Sequence, residues 1–282
     1  MLQACVASAF PNNSCVSAAT HHLAAGGSRL RARICLDASE RLGVDQTTAY
    51  QLASTCELLH NASLIHDDLL DRAPLRRAQP SVWALFGDGV AVCTGDLMLT
   101  AAYASAVGLT HSPLIPVIFG LVHRRAQEVI LGQAAELAAA AVPGTTPEQY
   151  EILAQSKSAS LLSLSLELPL CAAGYMSALA QAEQVAALFS VAYQIADDLE
   201  DVEQDRLANS LNLVDVLSAS KSISVAEAKE RAAARAEALL RSAAPLARDL
   251  PLDCAAVLVD HAEALLKRLA LTTALTRPSA KG

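Results

Sequence analysis

Long segments with helical periodicity, separated by few glycine or proline residues, constrain the fold of this chain most strongly. Alanine and leucine fill most of their apolar positions, and both residues lose little conformational entropy in a helix. Aromatic residues make up only 4% of the sequence, which disfavours a sheet, and no useful strand-like alternation occurs. The pattern predicts helices over 14–25, 30–43, 47–71, 90–108, 114–141, 147–173, 178–205, 224–249 and 254–272.

Two of the predicted helices begin with side chains that cap a helix N-terminus. Thr146 precedes Pro147 and Glu148, which suit an N-cap followed by the first helical turn. Ser224, with Glu227 three residues later, forms a capping box. The segment "PLARDLPLD" at 245–253 breaks the pattern and predicts a helix end.

The length and composition of the chain allow one large core. The sequence has 282 residues, of which 53% are hydrophobic and 18% charged, and it contains neither a repeat nor a low-complexity linker. We therefore expect a single all-α domain over 1–282, with flexible tails at about 1–13 and 273–282. The longest uninterrupted apolar run, near "PLIPVIFGLV", is shorter than the ~18 residues of a transmembrane helix, so no transmembrane segment is expected.

Charge and cysteine usage narrow the possible partners and the compartment. The net charge of −8 lacks the basic field that nucleic-acid binding requires, so nucleic acid is not an expected partner. Seven cysteines are scattered without a C-x-x-C pair, which favours reduced thiols in a cytoplasmic protein. The N-terminus has no basic region typical of a signal peptide. Any positive charge for an anionic substrate must come from local arginines or bound cations.

The first candidate site is an acidic cluster at the end of an apolar helix. Asp67, Asp68 and Asp71 stand at i, i+1 and i+4. At about 100° per residue, the first and last of these lie on one helical face, with Asp68 turned aside. Taken alone, a cluster of this kind is adequately interpreted as a solvated acidic face of a helix.

A second acidic cluster repeats the first one. Asp197, Asp198 and Asp201 have the same spacing, again among apolar residues. Two such clusters are costly unless something neutralises them, because like charges repel and bury poorly. Hard carboxylate oxygens suit Mg²⁺, which binds proteins through a few carboxylates together with substrate phosphates. The pair of clusters therefore predicts magnesium bound to a diphosphate.

Two arginines follow the first cluster. Arg76 and Arg77 come five and six residues after Asp71, beyond Pro74. A guanidinium group holds phosphate oxygens in a bidentate manner and stays charged. Alone, the pair reads as a solvated surface feature; beside the aspartates it predicts the second half of a diphosphate clamp.

These segments resemble the trans-isoprenyl diphosphate synthases (polyprenyl synthetases), and within them the bacterial geranylgeranyl diphosphate synthases. "ELLHNASLIHDDLLD", "LRRAQPSVWALFG" and "GDLML" are similar to the first aspartate-rich motif of the family and its sequel. "YQIADDLEDVEQD" is similar to the second motif, and the resemblance runs from about residue 18 to 270. It implies an antiparallel helical bundle around a deep central cavity, with the two motifs facing each other across its mouth, and a homodimer.

The resemblance also implies the roles of individual residues. It implies about three magnesium ions, with Asp67, Asp71 and Asp197 as direct ligands and Asp68, Asp198 and Asp201 in supporting or water-mediated positions. It assigns the other positions as follows: Arg76 and Lys157 to the allylic diphosphate, Arg31, His60 and Arg77 to isopentenyl diphosphate, Gln194 to the forming cation, and Gln133 to the "GQ" segment. The expected catalytic residues are Asp67, Asp71, Asp197, Arg76, Lys157 and Gln194.

The sequence departs from the family pattern at two cations. Ser28 stands where a lysine normally holds isopentenyl diphosphate, in "GGSRLRA". Ser210 stands where the second of two lysines aligns beyond the second motif, unless Lys221 substitutes through a different alignment of that loop. Each lost cation costs about 1–3 kcal/mol of charge-assisted bonding. Arg29 and Arg206 are candidates to compensate.

Three functions stay open on the sequence alone. The first is condensation of an allylic diphosphate with isopentenyl diphosphate. The second is ionisation of an allylic diphosphate without elongation, as in a class I terpene synthase or diphosphate lyase on the same fold. The third is a non-catalytic partner subunit of another synthase, which has no need of six aspartates so placed.

Small residues before the first cluster bear on product length. In the family, the growing tail passes beside this helix, and Ala62 and Ser63 stand five and four residues before Asp67. Both are small, which favours a product of C20 or longer, here geranylgeranyl diphosphate. Tyr103 either forms a deeper floor or belongs to the ordinary core.

Other polar residues have plainer interpretations. His21 and His22 read as a solvated helix end, and "HRRAQE" at 123–128 reads as a solvated helix face. His66 is interpreted as orienting Asp67 or the backbone, and Trp83 as a packing anchor.

Overall fold

A computed structural model describes residues 13–107, 114–140, 144–208 and 210–276 of the chain. In this part of the sequence, α-helices dominate and the only sheet is a two-stranded hairpin. The elements are α1 (Ser14–Ala24), α2 (Leu30–Arg41), α3 (Gln46–Leu70), β1 (Leu75–Arg76), β2 (Gln79–Pro80), α4 (Val82–Phe86), α5 (Asp88–Val107), α6 (Ile115–Ala140), α7 (Pro147–Ala172), α8 (Leu179–Ala208), α9 (Leu213–Lys221), α10 (Val225–Arg248) and α11 (Ala256–Thr276). Short 3₁₀ turns at Met176–Ala178 and Pro251–Asp253 precede α8 and α11.

The all-α class is confirmed, and all nine predicted helices are present with ends shifted by a few residues. Both predicted caps form: Thr146 Oγ1 accepts from the Gln149 amide at 3.2 Å, and Ser224 Oγ accepts from the Glu227 amide at 3.2 Å. The predicted break at 245–253 is wrong at its start, because Pro245 lies inside α10.

Backbone contacts divide the chain into two compact units. The first comprises residues up to Ala126 together with Leu164–Met176. Within it, α3 packs mainly against α5, and α2 against α3. The centre of this core holds large aliphatic side chains that are fully buried: Ile34, Leu52, Leu58, Ile65, Met98, Ile118, Leu164, Leu166, Leu168 and Leu170.

The second unit comprises residues Gln127–Ser163 and those from Ser177 onward. Its main contact is between α8 and α10, with α9 and α11 packed against them. Ile195 on α8 and Leu213 on α9 are among its largest fully buried side chains. The acidic segment of α8 is therefore carried on a helix whose opposite face is core.

Several expectations about the chain as a whole can be compared with the structure. The predicted start of the C-terminal tail at about 273 is wrong, because α11 continues to Thr276; residues 1–12 and 277–282 lie outside the described residues. By length and composition, α5 is apolar enough to cross a membrane, with a mean hydropathy of 1.5. The mean hydropathy of α5 is this high although polar residues interrupt its apolar run. Core helices of soluble proteins can have the same length and composition. No disulfide joins the described cysteines, and Cys35, Cys56, Cys171 and Cys254 are buried.

Candidate active-site residues

The first acidic cluster separates into one buried and two more accessible carboxylates. Asp68 is only 1% exposed, and Arg76 donates to it from Nε at 2.9 Å and from Nη2 at 2.5 Å. Asp67 is half-buried. Asp71 is the C-cap residue of α3, with φ and ψ angles in the helical region, and it is exposed. The geometry agrees with the expectation that Asp68 turns away from Asp67 and Asp71.

A short hairpin places the two arginines. Leu75–Arg76 pairs antiparallel with Gln79–Pro80. The two residues of its turn, Arg77 and Ala78, have φ angles of 53° and 61°, as in a type I′ turn, which glycine and asparagine normally occupy. The hairpin thus places Arg76 in contact with Asp68 and places Arg77 in its turn.

Two glycines in the loop between α1 and α2 contact the Arg77 side chain or leave space for it. The Arg77 guanidinium donates to the Gly26 carbonyl oxygen. A Cβ atom built on Gly27 lies 2.4 Å from Arg77 Cζ, so only glycine leaves room for the guanidinium in this position. Both glycines have positive φ angles. The loop between α1 and α2 therefore seats a residue that the sequence assigns to isopentenyl diphosphate.

Arg31 and His60, assigned to the same substrate, contact each other. Arg31 Nη1 donates to His60 Nε2 at 3.2 Å, which makes the imidazole neutral with its proton on Nδ1. Burial lowers the pKa of His60 well below its usual value, and the charges of Arg31, Arg77 and Arg76 lower it further. The four side chains form a basic group, defined here as Arg31, His60, Arg76 and Arg77.

His22 is buried beside this basic group, so the interpretation of a solvated helix end is wrong for it. Its Nε2 lies 3.0 Å from Asn61 Oδ1, and Asn61 Nδ2 donates in turn to Glu57 Oε1 at 3.1 Å. Burial lowers the pKa of His22 to about 4, although the hydrogen bond to Asn61 opposes that shift. His21, by contrast, contacts the Pro80 carbonyl at 2.8 Å.

Neither candidate arginine is in position as a simple substitute for the absent lysines. Ser28 is exposed in its loop, and the neighbouring Arg29 donates to the Leu23 carbonyl at 2.9 Å. Ser210 is exposed and donates its amide to the Asp205 carbonyl. Arg206 binds Asp215 at 2.6 Å and Glu203 at 2.9 Å, while Lys221 ends α9.

The second acidic cluster has the same division into a buried and two more accessible carboxylates. Asp198 is 2% exposed and accepts hydrogen bonds from the Tyr150 hydroxyl at 2.7 Å and from Gln194 Nε2 at 3.0 Å. Asp197 is half-buried and Asp201 is exposed. Burial raises the pKa values of Asp197 and Asp198 to about 6 each.

Arg268, which the sequence analysis did not single out, contacts the second cluster from α11. Its Nη2 lies 3.4 Å from Asp197 Oδ1, and its Nε lies 3.2 Å from Glu200 Oε1. This charge partly opposes the effect of burial on the pKa of Asp197. The contact spans 71 residues of sequence, so no local pattern predicts it.

Lys157 is paired with a carboxylate that the sequence analysis also missed. Its Nζ donates to Glu136 Oε2 on α6 at 2.6 Å. At Gly132, a Cβ atom would lie 3.0 Å from the Ser156 backbone and 3.1 Å from the Lys157 amide nitrogen, so the two helices approach closely here. Gln133, of the "GQ" segment, has a buried Oε1 with no hydrogen-bond partner among the described residues.

The residues proposed for chain length lie in the first unit. Ala62 is buried, and Ser63 Oγ donates to the His60 carbonyl at 2.9 Å. Tyr103 packs against Phe119 with ring centroids 5.6 Å apart, and burial raises its pKa. His66 contacts the Val92 carbonyl at 3.3 Å.

An ion pair in the first unit shows that the interpretation of 123–128 as a solvated face is wrong for Arg125, whereas His123 and Arg124 are exposed as expected. Arg125 is buried and donates to Glu167, which is 0% exposed, at 2.8 and 2.5 Å. Arg124 adds a third contact to the same carboxylate at 3.2 Å. The apolar residues around Glu167 did not indicate a buried ion pair. The pattern that could have indicated it is two adjacent arginines on one helix and a single glutamate in an apolar segment of the next helix.

The acidic residues fit magnesium only if a substrate completes the ligand shell. Within the described ranges, no group of three or more His, Cys, Asp or Glu side chains is arranged to hold a metal ion by itself. The accessible groups are hard carboxylate oxygens, and Mg²⁺ is usually held by one or two of these together with phosphate oxygens and water. The donor set therefore suits a magnesium–diphosphate complex.

Comparisons with known proteins identify a family to which the chain is similar. The polyprenyl synthetase family model matches residues 13–249. A short chain isoprenyl diphosphate synthase from Methanothermobacter thermautotrophicus is 29% identical over 189 residues, which are 67% of this chain and 58% of that protein. A chloroplastic geranylgeranyl pyrophosphate synthase from Capsicum annuum is 31% identical over 226 residues, covering 76% of this chain and 61% of that protein. The chain thus spans less than two thirds of the length of either relative.

The fold has close counterparts among solved structures. The geranylgeranyl pyrophosphate synthetase of the archaeon Geoglobus acetivorans aligns with a TM-score of 0.84. The alignment covers 95% of this chain and 96% of that one at 24% sequence identity. At this level of identity the likeness establishes the fold.

Proposed function

Because the chain belongs to the polyprenyl synthetase family, we propose that it condenses an allylic diphosphate with isopentenyl diphosphate to give a longer prenyl diphosphate. The observation that carries this proposal is the common build of the two acidic clusters. In each, the middle aspartate is buried and hydrogen-bonded, while the aspartates at i and i+4 are more accessible. Such an arrangement serves ligand binding better than a solvated acidic face does.

The accessible aspartates are the proposed metal ligands. Asp67, Asp71 and Asp197 would hold Mg²⁺, with Asp68, Asp198 and Asp201 in supporting positions. The metal would supply positive charge to stabilise a departing diphosphate. Arg76 and Lys157 are the proposed ligands of the allylic diphosphate; in the structure Arg76 donates to Asp68 and Lys157 donates to Glu136.

Three members of the basic group, Arg31, His60 and Arg77, form the proposed site of the second substrate. Arg31 and Arg77 bind the diphosphate of isopentenyl diphosphate as fixed charges. His60 stays neutral at pH 7, because burial and Arg31 lower its pKa, and it offers its Nδ1–H as a hydrogen-bond donor. Ser28 contributes at most a hydroxyl where the family has a lysine, so this site relies on the remaining cations.

The reaction then proceeds by ionisation and addition. The allylic carbon–oxygen bond breaks, and the electron pair leaves with the diphosphate that Arg76 and Lys157 bind. Apolar surroundings would exclude water from the allylic cation, and Gln194 is the polar residue proposed to face it. The double bond of isopentenyl diphosphate forms the new carbon–carbon bond, and loss of a proton to the released diphosphate restores an alkene.

Product length, assembly and location complete the proposal. The small side chains of Ala62 and Ser63 admit a C20 product, geranylgeranyl diphosphate, with Tyr103 limiting further growth. The enzyme acts as a homodimer, and its free cysteines favour a cytoplasmic location.

The test is an incubation of the purified protein with Mg²⁺, labelled isopentenyl diphosphate and, separately, each allylic diphosphate from C5 to C15. We expect label in a longer prenyl diphosphate, whose length chromatography reads directly. Asp197→Asn should lower kcat by at least about 100-fold. Asp249→Asn, at the exposed end of α10, is the matched control and should leave the rate unchanged.

A second candidate function is ionisation without elongation, which Ser28 and Ser210 favour because each replaces a diphosphate-binding lysine. Its mark is magnesium-dependent loss of diphosphate from the allylic substrate with no label incorporated. If neither product forms, the proposed catalytic activity is wrong for this chain alone, and a partner-subunit role is the remaining interpretation.

A further inference from the structure

Asp198 is bound by donors that come from three separate elements. The Tyr150 hydroxyl on α7 and the Leu213 amide at the start of α9 both donate to Asp198 Oδ2 at 2.7 Å. Gln194, one turn earlier on α8, donates to Oδ1 at 3.0 Å. The hydroxyl of buried Tyr150 has its pKa raised, first by burial and then by the Asp198 charge, so it stays a donor. One carboxylate thus ties α7 and α9 to the acidic segment of α8.

Asn212 grips the same segment at two further points. Its Nδ2 donates to the Asp198 carbonyl at 2.9 Å and to Asp205 Oδ2 at 2.7 Å. Its Oδ1 accepts from the Val214 amide at 2.9 Å and caps α9. Asn212 is buried, and its bond to the Asp198 carbonyl is buried as well. The segment of α8 from Asp198 to Asp205, about two helical turns, is therefore held at both ends by one side chain.

The two more accessible aspartates of the second cluster lie within this segment of α8 or next to it. Asp197 is bonded directly to Asp198 through the backbone, and Asp201 lies between Asp198 and Asp205. Tyr150 and Asn212 are uncharged, so they hold this acidic segment without adding a positive charge to it. In the first cluster the buried aspartate, Asp68, is instead paired with Arg76. In the second cluster a cation, Arg268, contacts the more accessible Asp197 at 3.4 Å.

We propose that Tyr150 and Asn212 are positioning residues. They hold the segment of α8 from Asp198 to Asp205 in one conformation, so that Asp197 and Asp201 are correctly placed to bind the magnesium–diphosphate complex. This inference rests on the proposed function and adds two residues to it. They touch neither substrate nor metal and act through Asp198. Their loss should weaken binding of the magnesium–diphosphate complex rather than only destabilise the fold.

Two variants with matched controls test the inference. Tyr150→Phe removes one hydroxyl, and Tyr175→Phe, at a partly exposed tyrosine of the other unit, is its control. Asn212→Ser keeps a capping oxygen for α9 but loses both Nδ2 donations. Its control is Asn13→Ser, at the exposed N-cap of α1, where the side chain accepts from the Cys15 amide at 2.8 Å.

The primary measurement is calorimetric binding of Mg²⁺ together with inorganic diphosphate, which requires no turnover. We expect about a tenfold loss of affinity in Tyr150→Phe and in Asn212→Ser, the scale of a hydrogen bond to a charged group. Both controls should stay within about twofold of the wild type. Amide hydrogen exchange at Leu213 should also accelerate in Tyr150→Phe. In the elongation assay, the Mg²⁺ concentration for half-maximal rate should rise by a similar factor, while KM for the allylic substrate at saturating Mg²⁺ changes little.

Affinity unchanged in both variants, with lowered thermal stability alone, overturns the inference and leaves the two residues a structural role. If Tyr150→Phe does not fold, Asn212→Ser decides the question. A wild type that binds magnesium–diphosphate but does not elongate contradicts the proposed function, and the affinity comparison still decides the inference. A wild type that does not bind the complex overturns both.

Discussion

At the scale of single residues, a buried histidine near the basic group makes stability depend on pH. His22 has a folded-state pKa of about 4, against an ordinary value of 6.5, because burial disfavours its charged form. Between these two values the unfolded chain binds more protons than the folded one. The contribution of His22 to stability is therefore complete above pH 6.5 and is lost as the pH falls toward 4.

This shift predicts a measurable acid sensitivity. Between pH 7 and pH 5, His22 should account for roughly 2 kcal/mol of the lost free energy of unfolding. Urea unfolding of the wild type and of His22→Gln at both values measures it, with His123→Gln, at an exposed position, as the control. An equal pH dependence in His22→Gln and the wild type would show that another group is responsible.

A second prediction at this scale concerns the seat of Arg77. Gly26 and Gly27 both have positive φ, so an alanine is strained at either position, but only at Gly27 does its Cβ collide with Arg77. We expect Gly27→Ala to raise KM for isopentenyl diphosphate about tenfold and Gly26→Ala to raise it little. Steady-state kinetics with a saturating allylic substrate measures this difference. Similar KM values in the two variants would contradict the role of Gly27 as a space that Arg77 occupies.

At the scale of elements, the β1–β2 hairpin is held in a turn that its sequence does not favour. Ala78 has a φ angle of 61°, in the left-handed region that costs a non-glycine residue about 1–2 kcal/mol. The hairpin forms because Arg76 is anchored on Asp68 and Arg77 on the Gly26 carbonyl. The contacts of the turn, rather than its intrinsic preference, decide its conformation.

Ala78→Gly should therefore stabilise the protein by about 1 kcal/mol, since glycine adopts this conformation without steric cost. The control is Ala104→Gly on the exposed face of α5, which should destabilise by about 0.5–1 kcal/mol. Chemical unfolding of both variants gives the two signs. A destabilised Ala78→Gly would mean that the entropy glycine adds to the unfolded chain outweighs the strain it removes.

The same elements show what sequence patterns can and cannot predict. The nine long helices were found because each has enough turns for its apolar period to repeat. Val82–Phe86 and Leu213–Lys221 were missed, since five and nine residues show little periodicity and depend on packing for stability. The hairpin was missed because Arg77-Ala78 lacks the usual turn residues.

For the candidate site, spacing along one helix was informative and long-range contact was not. The i and i+4 positions of Asp67 and Asp71 follow from helical geometry alone. Tyr150 lies 48 residues from its partner Asp198, so no local pattern connects them. His22 was misjudged for a similar reason, because its partner Asn61 is on another helix.

At the scale of the whole molecule, exposed apolar side chains bear on the proposed homodimer. Ile130 and Leu131 on α6 are 58% and 60% exposed, and Leu137, two turns further on, is 44% exposed. Large aliphatic residues side by side on one helix are typical of an interaction surface. This surface is the part of the described chain on which we expect a second copy to pack.

The double variant Ile130→Lys/Leu131→Glu should therefore be a monomer at concentrations where the wild type is a dimer. Two charges desolvated at such an interface oppose association by several kcal/mol. Sedimentation velocity measures the change, and Leu207→Glu, at a 91% exposed leucine on α8, is the control. A variant that stays dimeric would move the interface elsewhere, and a monomeric wild type would remove it.

The buried ion pair between Arg125 and Glu167 also constrains how the sequence can diverge. Removing Glu167 leaves the charge of buried Arg125 in the core at a cost of about 3–5 kcal/mol, whereas replacing both residues by apolar ones is close to neutral. Removing Arg125 costs less, because Arg124 still contacts Glu167 at 3.2 Å. Glu167 therefore cannot be exchanged first without passing through an unstable intermediate. We expect the two positions to covary among descendants of this gene: an ion pair in some lineages, two apolar residues in others, and very rarely Arg125 without Glu167.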